Sequence, residues 1–200
     1  MSYSDFTIHQ LKEEFGIEMI EDQPLFPNPP TSEVSPSLQA LLEQYVPLAI
    51  SISTEKARSE FIIAPILAEL KFRFRNRLSL FSGIEFSVEP GKGLNGRCDY
   101  ILSRSKEQLE LTAPVLVLVE AKNEQIPKGI PQCIAEMIAA QLFNARNHEA
   151  IPTIYGVVTT GSLWRFLKLE QRCAYVDTLE YSLQQLDHIL GILADITVNA

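Results

Sequence analysis

The stretch VLVLVEAKNE, residues Val115 to Glu124, places five aliphatic residues directly before Glu120, Ala121 and Lys122. An unbroken aliphatic run with turn-like sequence on both sides is typical of a central strand that is buried on both faces of a sheet. Because side chains two residues apart on a strand point the same way, we expect Glu120 and Lys122 to project from one face where the strand ends. A buried glutamate is costly to desolvate unless a cation lies beside it, and either Lys122 or a metal ion meets that need.

The composition is that of a globular domain. The chain has 200 residues, of which 46% are hydrophobic and 21% charged, enough for one well-buried domain. No apolar run reaches about eighteen residues, and the N-terminus has no basic start followed by an apolar core, so the sequence predicts neither a membrane span nor a secretory signal. We therefore expect a cytoplasmic protein. The cysteines and histidines lack metal-ligand spacing, which argues against a zinc site or a disulfide framework.

The charge is uneven along the chain. A net charge of −8 argues against a protein whose main role is to coat nucleic acid. Basic residues nevertheless concentrate between Lys56 and Arg104, and a K-x-R-x-R-x-R run extends from Lys71 to Arg77. This run is either an edge that contacts phosphates or a helix C-terminus whose cations complement the helix dipole.

The predicted elements place the aliphatic strand in a layered α/β (α+β) fold. Residues 1–50 are predicted as an N-terminal arm or adaptor, with a helix ended by Gly16, a proline-rich stretch and a helix from Pro36 to about Tyr45. Residues 51–200 are predicted as one domain with the order α–β–β–β–α–β–β–α, a mixed sheet between helices. The expected elements are helix 53–78 with a kink at Pro65, strands 84–90, 97–103, 115–122, 153–161 and 163–170, and helices 129–148 and 182–194.

A second carboxylate is expected close to Glu120. Asp99 lies on the predicted strand RCDYILS, which we expect to pair beside the aliphatic strand. Two adjacent carboxylates repel each other and raise one pKa unless a cation lies between them. Mg²⁺ suits this position because it binds one or two carboxylates together with water and phosphate oxygens, and the backbone carbonyl of Ala121 offers a further oxygen. The alternative is a salt bridge between Glu120 and Lys122, with Asp99 on the surface.

These residues resemble the PD-(D/E)XK nuclease superfamily, which has the restriction-endonuclease-like fold. Asp99 is followed, after twenty residues, by Glu120-Ala121-Lys122. The segment GRCDYILS…VLVLVEAKN…TTGSLWRFLKL is most similar to the N-terminal nuclease domain of type I restriction enzyme subunits and their stand-alone relatives. The resemblance covers about residues 53–170, and Cys98 stands where the family usually has a proline.

The resemblance implies a three-layer core and a Mg²⁺-dependent (endo)nuclease in which Mn²⁺ substitutes. The implied partner is nucleic acid, with DNA as the expected substrate, and a homodimer is one expected assembly. Asp99 and Glu120 would hold the metal ion, and Lys122 would assist the attacking water. Glu60, on the preceding helix, would bind a second metal ion or a metal-bound water; its alternative role is that of a solvated helix residue.

Three further residues on the following helix are candidates. The resemblance implies that Gln132 orients Lys122 or contacts phosphate, and the alternative is a surface amide at the helix end. Glu136 lies one turn later on the same face, so we expect the two to act together or not at all. Gln141 lies within the apolar stripe of this helix, where a buried amide needs hydrogen-bond partners.

Two other functions remain open from the sequence. The chain is alternatively a catalytically inactive nuclease-fold module for nucleic-acid or protein binding, which the low overall basicity favours and the intact Asp-Glu-Lys set disfavours. A third possibility is a subunit that needs a separate motor or specificity protein.

Overall fold

The fold is built on one mixed β-sheet. The computed structural model describes residues 1–149 and 151–199. The strands are β1 (Glu18–Ile20), β2 (Ser79–Glu85), β3 (Arg97–Ser103), β4 (Val115–Ala121), β5 (Thr153–Thr159), β6 (Leu163–Glu170), β7 (Cys173–Val176) and β8 (Tyr181–Ser182). The helices are α1 (Ile8–Phe15), α2 (Pro36–Ile52), α3 (Glu55–Arg58), α4 (Ala64–Arg73), α5 (Ile126–Arg146) and α6 (Leu186–Asn199), with a π-helical turn at Ser59–Ile63.

The aliphatic strand β4 lies inside the sheet. The strand order is β1-β7-β6-β5-β4-β3-β2, and β8 pairs with β6. β4 is parallel to β5 and antiparallel to β3, and α5 makes the crossover from β4 to β5. All seven residues of β4 are buried, which confirms the central strand predicted from the sequence.

Helices cover both faces of the sheet, so the predicted three-layer mixed α/β fold is confirmed. On one face, α5 and α1 pack with residues of the N-terminus. On the other face, α2, α4 and α6 pack together against the sheet. Trp164 and Phe166 of β6 are fully buried in this second layer, as expected for core residues. No helix in the described part of the chain is long and apolar enough to cross a membrane.

Residues 1–50 contribute to both layers. β1 pairs in parallel with β7 at the edge of the sheet. Leu11 of α1 is fully buried in the first layer, and Leu38 and Leu42 of α2 are buried in the second. The sequence analysis gave these residues no place in the core. The division of the chain into an arm and a domain at residue 50 stays a prediction.

Several element boundaries differ from the sequence-based expectation. β2 spans Ser79–Glu85 and not 84–90, because the chain leaves the regular ladder after Glu85 and turns through a 3₁₀ segment at Pro90–Lys92. β2 pairs antiparallel with β3, the next strand in the chain. α2 continues past Pro47 to Ile52 because it packs Ala49 into the second layer, where packing outweighs the proline penalty.

The predicted kink at Pro65 appears as a π-helical turn between α3 and α4. Pro65 has no N–H with which to bond back along the helix, and the wider turn accommodates the missing bond. Tyr100 of β3 fixes the turn to the sheet. Its hydroxyl donates to the Ser59 carbonyl at 3.0 Å and lies 2.6 Å from the Ser59 hydroxyl.

The basic run at Lys71–Arg77 lies in the last turn of α4 and in the turn that follows it. Lys71 Nζ donates to the carbonyls of Leu78 at 2.6 Å and Arg75 at 3.2 Å, as in the predicted helix C-terminus. The run leads into Ser79, which pairs with Ser103 at the end of β3 farthest from Asp99. The run therefore lies at the opposite end of the sheet from Asp99.

The proline-rich segment packs directly against α6 at Gly191. A Cβ at this position would lie 2.8 Å from Thr31 Cα and closer still to the Pro30 carbonyl. We expect Gly191→Ala to lower the free energy of unfolding by roughly 2–3 kcal/mol, because backbone atoms must move to accept it. Urea denaturation measures the change.

Gly91→Ala is the matched control, because a Cβ there meets no atom within 4 Å. We expect it to change the unfolding free energy by less than about 0.5 kcal/mol. Equal stabilities of the two variants would contradict a close contact between Gly191 and the proline-rich segment.

Candidate active site

The structure brings Asp99 and Glu120 together at the ends of neighbouring strands. Tyr100 pairs with Val119 across β3 and β4, so Asp99 lies across from Glu120. The backbone N–H of Ala121 donates to Asp99 Oδ2 at 2.8 Å, which holds this carboxylate at the strand end.

Lys122 joins this pair to α5. Its Nζ donates to Glu120 Oε1 and, at 3.3 Å, to Gln132 Oε1. Gln132 Nε2 in turn donates to Glu136 Oε1 at 3.2 Å. α5 comes this close because Gly129 has no side chain, since a Cβ there would lie 2.6 Å from Val158 Cγ1 and 3.1 Å from Lys122 Cγ. The structure thus connects Glu120, Lys122, Gln132 and Glu136 in one chain of contacts.

Burial dominates the electrostatics of the carboxyl groups. Glu120 is 1% exposed, and burial together with Asp99 raises its pKa to about 8, although Lys122 acts to lower it. Burial also raises the pKa of Asp99, against the Ala121 N–H, and it raises the pKa of Glu136 far above the usual range. Burial alone would lower the pKa of Lys122, but the neighbouring Glu120 raises it overall. One ammonium therefore faces three carboxyl groups, and burial with mutual repulsion keeps Glu120 and Glu136 protonated to a higher pH than usual in the metal-free protein.

Two cavities open beside the cluster. The larger, of about 430 Å³, is lined by Glu55, Lys56, Ser59, Glu60, Ala64, Ser82, Gly83, Arg97, Asp99, Tyr100 and Ala121. The smaller, of about 240 Å³, is lined by Glu55, Lys122, Asn123, Glu124, Gln125 and Lys128. Asp99 and Lys122 are thus reached from solvent on two sides, and Glu55 borders both cavities.

Two predicted site residues lie apart from the chain of contacts. Glu60 lines the larger cavity, but its side chain is 56% exposed and its carboxylate lies 3.7 Å from Lys56 Nζ, as in its alternative role of a solvated helix residue. Gln141 lies away from the site. With its nitrogen turned towards the Gln171 carbonyl, its amide bonds both backbone groups of Gln171 at 3.2 and 3.3 Å, so it joins α5 to the β6–β7 turn.

Glu55 was not predicted from the sequence as a site residue. This residue borders both cavities, and its charge acts to raise the pKa of Glu120 and of Lys122. The sequence feature that could have indicated Glu55 is the helix N-cap residue Thr54. Its hydroxyl accepts a hydrogen bond from the Ala57 N–H at 3.1 Å, and the helix begins at Glu55.

Asp99 and Glu120 are the side chains that could hold a metal ion at this site. In residues 1–149 and 151–199, no group of three or more His, Cys, Asp or Glu side chains is placed to hold one. The pair Asp99 and Glu120 fits a hard divalent cation, which takes one or two carboxylates and keeps its other positions for water or phosphate. Glu120 Oε2 is buried and has no hydrogen-bond partner among the described residues, so it has a free ligand position. The participation of the Ala121 carbonyl stays a prediction.

Comparison with known proteins does not assign the chain to a family. No protein-family model matches the chain, and no curated protein matches it. The resemblance to PD-(D/E)XK nucleases therefore rests on the residues and their arrangement alone.

The pKa of Glu120 predicts how stability depends on pH without a divalent cation. Its pKa in the folded state, about 8, exceeds its ordinary value of 4.5, so between these values the folded state binds the proton more tightly than the unfolded state. Stability should therefore fall as pH rises through this window, by at most about 1.4 kcal/mol per pH unit from this group. Urea denaturation at several pH values in chelator measures the slope.

Glu120→Gln should remove the contribution of this carboxyl and make the slope shallower. The control is Glu14→Gln, an exposed side chain on α1, which should leave the slope unchanged. An identical slope in wild type and Glu120→Gln would refute the assignment of a raised pKa to Glu120.

Proposed function

We propose that this protein is a metal-dependent nuclease of the PD-(D/E)XK type that hydrolyses phosphodiester bonds in nucleic acid, with DNA as the expected substrate. The observation that carries the proposal is the pair Asp99 and Glu120 at adjacent strand ends, with a free buried oxygen and Lys122 beside it. The proposal includes a restriction-endonuclease-like core, for which the mixed sheet between helices is the supporting feature.

Asp99 and Glu120 would hold Mg²⁺, or Mn²⁺ in its place, with the Ala121 carbonyl as a further ligand. The ion, when bound, balances the carboxylates and stabilises charge that develops on the phosphate. Lys122 contributes a cation fixed by two acceptors, Glu120 and Gln132. In the metal-free protein the neighbouring Glu120 raises the pKa of Lys122, so its side chain is an ammonium at neutral pH. As a fixed cation, Lys122 would orient the attacking water and stabilise negative charge.

The substrate backbone would pass across both cavities. Arg97 lines the larger cavity and Lys128 the smaller, one on each side of the carboxylate pair. Neither side chain forms a hydrogen bond or ion pair within the part of the chain that the structure describes. Both are therefore available for the phosphates that flank the scissile one.

The proposed chemistry predicts metal-dependent cleavage. With Mg²⁺ or Mn²⁺ the protein should cut plasmid or single-stranded DNA, and Asp99→Asn should lower the rate by on the order of a hundred- to thousandfold because a metal ligand is lost. Lys122→Ala should lose activity to a similar extent. Agarose or denaturing gels measure the products.

Asp22→Asn and Lys106→Ala are matched controls on exposed loops and should cut like wild type. Calorimetric titration with Mn²⁺ separates the two candidate functions. A wild type that binds oligonucleotide but neither binds Mn²⁺ nor cuts would replace the nuclease with the binding module.

The phosphate contacts predict a change in salt dependence. Arg97→Ala and Lys128→Ala should each reduce the slope of log K against log salt by about one for oligonucleotide binding, because one phosphate contact is lost. Fluorescence anisotropy at several salt concentrations measures this slope. Arg75→Ala and Arg77→Ala, at the opposite end of the sheet, should leave the slope unchanged. A larger change of the slope in these two variants would contradict binding of the nucleic acid across the two cavities.

A further inference from the structure

Glu136 is a buried carboxyl group that the fold does not require. It is 0% exposed, and its Oε2 has no hydrogen-bond partner among the described residues. Its neighbours one turn away on α5, Cys133 and Ala140, are buried in the first layer, as is Met137 beside it. An apolar side chain would fill this position without leaving a buried oxygen unsatisfied. In the described residues, the only side-chain hydrogen bond made by Glu136 comes from Gln132, on the side of the site.

We infer that Glu136 is a positioning residue, which fixes the side-chain amide of Gln132 so that its carbonyl oxygen faces Lys122. An amide has a donor end and an acceptor end. Because Nε2 of Gln132 donates to Glu136 at 3.2 Å, Oε1 is the end left for the Lys122 ammonium, at 3.3 Å. Without an acceptor at position 136 the amide is free to turn, and its NH₂ group then opposes the ammonium.

The fixed amide matters because lysine is flexible. Lys122 carries its ammonium on a four-carbon stem, and two acceptors on different elements restrict its direction more than one. Glu120 lies on β4 and Gln132 on α5, so the two bonds hold Lys122 between strand and helix. The orientation of the amide is independent of any reaction, whereas its effect on cleavage rests on the proposed nuclease function.

Two substitutions at one position test the inference. Glu136→Gln keeps an acceptor for Gln132, and Glu136→Met removes it while keeping the length and helix preference of the side chain. With DNA and Mg²⁺, Glu136→Met should lower kcat by on the order of ten- to a hundredfold with little change in KM, and Glu136→Gln should stay within about threefold of wild type. Glu136→Met should be at least as resistant to urea as wild type, because a buried unsatisfied group is removed.

Gln141→Met on the same helix is the matched control. It loses the bonds to Gln171 and should unfold at lower urea concentration while keeping its kcat. Gln132→Met breaks the same link from the other end and should reproduce the kinetic loss of Glu136→Met. A fully active Glu136→Met, or a Glu136→Gln as impaired as Glu136→Met, would overturn the inference.

A measurement without metal separates this inference from the nuclease proposal. The ¹⁵N signal of the Lys122 ammonium in the metal-free protein reports how firmly the group is held. We expect a sharp signal in wild type and Glu136→Gln, and a broadened or absent one in Glu136→Met and Gln132→Met. If wild type cuts no nucleic acid but the signals differ in this way, the nuclease proposal fails and the positioning role stands. Equal signals in all four proteins exclude the positioning role.

Discussion

The site depends on the burial of Glu120 at the end of β4. Seven buried residues make this strand a rigid support. The same burial leaves the carboxyl group of Glu120 with almost no contact with water. Its neighbours respond to that burial: Asp99 is held by the Ala121 N–H, Lys122 approaches from the same strand end, and α5 comes close enough to provide Gln132. A single ammonium does not balance all of these acids when they are ionised, and the proposed divalent cation would supply the missing positive charge.

The sequence predicted the parts of the fold that follow from a local pattern. The five aliphatic residues before Glu120 predicted a central strand, and the strand that carries Asp99 was expected beside it. Helices on both sides of the sheet were expected from the alternation of predicted helices and strands, and both faces are covered. These predictions succeeded because strand periodicity and burial are properties of a few consecutive residues.

Other features depend on contacts between distant parts of the chain and had no local signal. Strand β1 has three residues and exists only because β7 offers a free edge. Glu60 lies inside a π-helical turn and Glu55 in the helix before it, and both line the larger cavity, which no regular helical periodicity predicts. The partners of Gln141 belong to a turn thirty positions later in the chain, which no periodicity of α5 reveals.

The pairing of β1 with β7 has a consequence for how the protein is made. Glu18 lies opposite Cys173, so this edge of the sheet closes only after most of the chain has left the ribosome. Until then the apolar side chains of the first residues, including Leu11, have no complete layer to enter. Contacts this far apart in sequence also slow folding, because a long loop must close before they form. Strand β1 is thus synthesised long before β7, and during that interval it has no partner at this edge of the sheet.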